Sequence, residues 1–137
     1  MLLNDLQQAK ESFLSSIAIR NDLGQPGLMT EPMAGLIQTA LLQHDTVLAM
    51  IEAEKIMSYL ARGGTLEGTE EPLRVYYACY LALENTQDPR SHDMLRTAIQ
   101  LLEAQSSKLR DEGSRKWFVE NIPWRFALQK AAGRLKP

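Results

Sequence analysis

Residues 30–64 read TEPMAGLIQTALLQHDTVLAMIEAEKIMSYLARGG, and this stretch decides the fold. Leu36, Ile37, Ala40 and Leu41 recur at the steps that stack side chains on one face of a helix. Thr30-Glu31-Pro32 marks its start: a hydroxyl that can cap, a carboxylate at the positive end of the dipole, and a proline tolerated in the first turn. Gln43-His44-Asp45 makes a short break, after which Val47, Leu48, Ile51, Ile56 and Leu60 carry a second helix to the stop at Gly63-Gly64. A break of this length joins antiparallel neighbours.

The same reading extends in both directions. Over residues 5–20, Leu6, Ala9, Phe13 and Ile17 trace a helix that Asn4 can cap and that Gly24, Pro26 and Gly27 stop. After the polar connection 65–69, Glu70-Glu71-Pro72 opens a fourth helix carrying Val75, Tyr76, Cys79, Tyr80 and Leu83. Asp88-Pro89 restarts the chain as a fifth, running through Met94, Leu95, Ala98, Ile99 and Leu102 to about Leu109. Gly113-Ser114 leads into a short sixth helix with Trp117, Phe118 and Val119, and Pro123 separates it from a last one, residues 124–135. No stretch alternates apolar and polar residues as a half-buried strand does. The expected fold class is all-α: antiparallel helix pairs stacked as a short solenoid in one domain, 1–137, with repeat helices over 1–112 and capping helices over 113–137.

Three helices share a pattern. Ala9, Phe13 and Ser16 are spaced by four and three residues; Ala49, Ala53 and Ile56 repeat the spacing, and so do Ser91, Leu95 and Ala98. Successive triplets lie 40 and 42 residues apart. They look like the second-helix signature of the tetratricopeptide repeat, whose period is ~34 residues. The excess falls in the long connections 22–31 and 63–69. Ile37 stands where the first helix of such a repeat usually has glycine or alanine, and Ala40 where tyrosine is frequent.

Two longer strings carry a further resemblance. Glu67-Gly68-Thr69-Glu70-Glu71-Pro72-Leu73-Arg74-Val75-Tyr76, with Cys79 beyond it, and Arg115-Lys116-Trp117-Phe118-Val119-Glu120-Asn121-Ile122-Pro123-Trp124-Arg125 resemble the C-terminal end of large bacterial multidomain regulators. Those proteins join a nucleotide-binding signalling ATPase domain, and often a DNA-binding or cyclase domain, to a tetratricopeptide array. The resemblance implies the terminal portion of such an array, excised or separately encoded, that binds a sister domain or a separate polypeptide and regulates ATPase or transcription output. No glycine-rich loop ending in Gly-Lys-Ser/Thr occurs, so the ATPase activity itself does not carry over.

Composition narrows the partners. The chain has 137 residues, 45% hydrophobic and 23% charged, enough to bury a core without staples. Its net charge of -2 gives no footprint for direct nucleic-acid binding. The charge is uneven: from Arg110 onward seven basic residues face three acidic ones, a tail of +4 on a body of -6. Cys79 is the single cysteine, which excludes an intrachain disulfide and fits a reducing compartment. No run approaches the ~20 apolar residues of a membrane span and the start lacks a signal-peptide pattern, so the expected location is the cytoplasm, away from the membrane.

No constellation of residues suggests an enzyme, a metal or a cofactor. His44 and His92 have no second ligand at metal-binding spacing. Cys79 lies on the apolar stripe of the fourth helix, where a thiol acts as a small hydrophobe. Neighbouring carboxylates such as Glu52/Glu54 and Glu70/Glu71 point to different helix faces. Two sets remain as binding candidates. Aligning the triplets places Ala34, Gln38 and Leu41 with Tyr76, Tyr80 and Leu83 along the concave groove that first helices line; the tyrosines serve there or in the core. Trp117, Phe118, Trp124 and Arg125 form either an interaction surface or a lid on the last helix pair. The first helix has apolar residues over about 140° of its circumference against the ~100° of a helix facing one core, which predicts one uncovered flank, with Leu3, Leu6 and Leu14 near a homodimer or crystal contact or this helix the least protected in hydrogen exchange. The alternative to protein binding is a small-molecule effector sensed in the groove.

Overall fold

The computed structural model of the chain describes residues 3–24, 26–66, 69, 71–109 and 111–113, with residues 127, 130, 131 and 133 of the C-terminal segment. The described residues are helical with no strand. The main elements are α1 (Leu3–Asp22), α2 (Thr30–Leu42), α3 (Thr46–Ala61), α4 (Pro72–Asn85) and α5 (Ser91–Ser107), with a 3-10 turn at Pro26–Met29 before α2. Each coincides with a periodic segment of the sequence.

The helices pack in chain order. α1 packs on α2 and the 3-10 turn, α2 on α3, and α4 on α5; α4 also lies against both α2 and α3. The three- and five-residue connections between packed helices leave α2/α3 and α4/α5 antiparallel. The larger core cluster sits among α2, α3 and α4 and includes Ile37, Ala40, Ala49, Ala53, Ile56, Val75 and Cys79. A second lies on the far side of α4 and joins Leu73, Tyr80, Leu95, Ala98 and Leu102 to Ala131 of the C-terminal segment.

The two antiparallel turns are built alike. After α2, His44 adopts φ +60°, its N–H donates to the Leu41 carbonyl at 3.1 Å, and the Asp45 N–H reaches back to Ala40 O at 2.8 Å. After α4, Gln87 adopts φ +58°, its N–H donates to Glu84 O at 3.1 Å, and the Asp88 N–H reaches Leu83 O at 2.9 Å. One left-handed residue followed by a bond five residues back ends a helix and satisfies its last carbonyls. The aspartates then differ: Asp45 caps α3, its Oδ1 accepting from Leu48 N–H at 3.1 Å, whereas Asp88 Oδ1 accepts from Arg90 N–H at 2.9 Å within the turn before α5.

Details at the helix starts depart from the sequence reading. Thr30 does not cap α2; its hydroxyl donates to Gly27 O at 2.9 Å, tying the helix to the 3-10 turn. α5 begins at Ser91, because Asp88-Pro89-Arg90 forms the turn before it. In α1, Leu6 is buried within the chain, against the expected exposure. The exposed apolar side chains of that helix and its exit are Leu14, Ile19 and Leu23, and the Leu3 side chain lies outside the described residues. Phe13 explains how α1 seats: its ring fills the space beside Gly35 that any Cβ would occupy. No helix among the described residues is long and apolar enough to cross a membrane.

Candidate functional site

The six residues aligned to a concave groove do not share one surface. Gln38 and Leu41 are half-buried on α2 and Tyr76 half-buried on α4, but Ala34 and Leu83 are fully buried and Tyr80 is 7% exposed. Tyr80 packs in the cluster with Leu95, Ala98 and Ala131, so it faces α5 and the C-terminal segment. Tyr80 and Leu83 are core residues.

The cause is a register error of one residue. The triplets on α3 and α5 are 42 residues apart, but the equivalent turns His44-Asp45 and Gln87-Asp88 are 43 apart, because Asp45 precedes Ala49 by four residues and Asp88 precedes Ser91 by three. Carrying the triplet offset across the turn therefore misplaces α4 by ~100° of rotation. The turn offset pairs Ala34, Gln38 and Leu41 with Tyr77, Leu81 and Glu84. Tyr77 and Leu81 are half-buried and Glu84 is exposed.

A direct contact ties this corrected face together. Arg74 donates from Nε and Nη2 to Gln38 Oε1, at 3.0 and 2.9 Å, bridging α4 to α2. Arg74, Tyr77 and Leu81 follow at three- and four-residue steps on α4, where Tyr77 and Leu81 pack against the second core cluster. Gln38 and Leu42 share a step of this kind on α2, and Leu42 is 60% exposed. The Tyr77 ring stacks on Tyr80 at a centroid distance of 6.1 Å and an interplanar angle of 25°, which leads the face into the core. At the same end Glu31 Oε1 accepts from the Glu71 N–H at 3.2 Å, fastening the start of α4 over the start of α2.

A cleft of about 400 Å³ between α3 and α5 has Met57, Leu60 and Met94 in its wall. Arg90 closes one end, paired with Glu54 and with Asp88. The Arg90 hydrogen bonds hold the Asp88 carboxyl at about 2, below its ordinary value of 3.8. The cleft adjoins an apolar patch where α3 begins, formed by Val47, Met50 and Ile51.

Neither surface gathers catalytic groups. Burial pushes the Cys79 thiol up to about 12, which keeps it protonated and unreactive. Burial, with Cys79 beside it, also raises the Tyr76 phenol. Among the described residues no group of three or more His, Cys, Asp or Glu side chains is placed to hold a metal ion. Trp117, Phe118, Trp124 and Arg125 lie outside the described residues; Ala131, buried against α4 and α5, belongs to the core. Arg74, Tyr77 and Leu81 were missed from sequence because the repeat was phased on its second helices; the positions of Asp45 and Asp88 carry the correct phase. Comparison with protein-family models, curated proteins and solved structures finds no match to the chain.

Proposed function

We propose that this chain is a short stack of tetratricopeptide-like helix pairs working as a protein-interaction module, with α2 and α4 presenting the binding face. Following the resemblance of its two long strings, its partner is a sister domain or separate polypeptide of a signalling ATPase or transcriptional regulator, whose output it modulates. The observation that carries the reading is the order of packing. α4 packs against both members of the preceding pair, while among the described residues the backbone of α1 approaches α2 and the 3-10 turn, and that of α5 approaches α4. Pairs added one after another produce such contacts; a closed bundle would bring its last helices back to its first. The buried triplets Ala49/Ala53/Ile56 and Ser91/Leu95/Ala98, and the two matching turns, support a repeated unit.

The product of a repeat stack is an extended surface, and α2 carries an exposed leucine, Leu42, while α4 carries a half-buried cation, Arg74, bonded across to Gln38. Two experiments test the reading. In a crystal structure, one rotation and translation should carry α2–α3 onto α4–α5; a closed bundle would refute the stack. Selection of a random peptide library on the intact chain should yield binders that Leu42→Asp weakens. A metabolite that raises the melting temperature, with no peptide selected, would replace the module with an effector sensor.

A further inference from the structure

We draw no further inference here: the strongest candidate, the open apolar patch of Val47, Met50 and Ile51 where α3 begins, beside the cleft between α3 and α5, carries nothing, because nothing in the structure shows what covers it.

Discussion

Glu52 sits on the buried side of α3, with its side chain 5% exposed. Oε1 pairs with Lys55 Nζ at 3.0 Å, but Lys55 is 56% exposed, and Oε2 has no hydrogen-bond partner among the described residues. Replacing Glu52 by Met keeps the length of the side chain and removes both features. An unsatisfied buried polar atom costs about 1–3 kcal/mol, more if it bears charge. The pair lost with it, screened by the solvent around Lys55, is worth roughly 0.2–1 kcal/mol. Glu52→Met should therefore stabilise the fold by about 1–2 kcal/mol. For a chain of 137 residues the unfolding entropy makes each kcal/mol about 3–4 °C, so the melting temperature should rise by roughly 3–8 °C.

Differential scanning calorimetry on Glu52→Met, Lys55→Met and the double variant measures this. Lys55→Met should destabilise, because it leaves the buried carboxylate with no partner at all, and the double variant should match Glu52→Met. A melting temperature for Glu52→Met below that of wild type would refute the reasoning. It would mean that Oε2 is satisfied in solution and that Glu52 is part of the architecture.

Gly35→Ala gains about 1 kcal/mol of helix propensity but drives a Cβ into the Phe13 ring, an overlap of the kind that costs about 1–3 kcal/mol. Its urea midpoint should fall and Phe13→Leu should recover part of the loss; a rise in the midpoint would show that α1 does not seat on Gly35. His44→Gly and Gln87→Gly each relieve a left-handed residue and should each stabilise by roughly 0.5–1 kcal/mol, additively. Loss of stability in either would break the equivalence of the two turns. Asp88 has its folded pKa lowered to about 2 from 3.8, so the stability it contributes is complete above about pH 4 and is lost as pH falls through about 2. The melting temperatures of wild type and Asp88→Asn should therefore converge across that interval; a constant difference would show that Arg90 does not hold the carboxylate in solution.

What the sequence made legible follows from how local each signal is. The helices were legible because three- and four-residue spacing of apolar residues is a local property, and so was the place of the turns, written in His44-Asp45 and Asp88-Pro89. The triplets on α3 and α5 were legible as core: Ala49, Ala53, Ile56, Ser91, Leu95 and Ala98 are all buried. Which residues of α4 adjoin α2 was not, since that depends on how two helices are rotated against each other. One residue fewer between Asp88 and Ser91 than between Asp45 and Ala49 was enough to put Tyr76, Tyr80 and Leu83 where the turns align Tyr77, Leu81 and Glu84. Gly35 escaped notice for a related reason: a glycine inside a helix announces close approach, but only the packed structure names Phe13 as the side chain that approaches.

The long connection between α3 and α4 contributes to how α4 sits on α2. The Tyr59 hydroxyl donates to Thr65 O at 2.9 Å and accepts from the Thr65 N–H at 3.2 Å, and Gly64 leaves room for its ring. The exit from α3 is thereby folded back on its own last turn. The chain then reaches α4 with the Glu71 N–H on Glu31, so the start of α4 is fixed against the start of α2 before the helix begins. Arg74 lies in the first turn after that anchor, and its bond to Gln38 follows from it. The residues inserted between pairs thus set the register of α4 on α2. That register brings the Arg74 guanidinium onto Gln38, while Tyr80 packs in the second core cluster and Tyr77 and Leu81 against it.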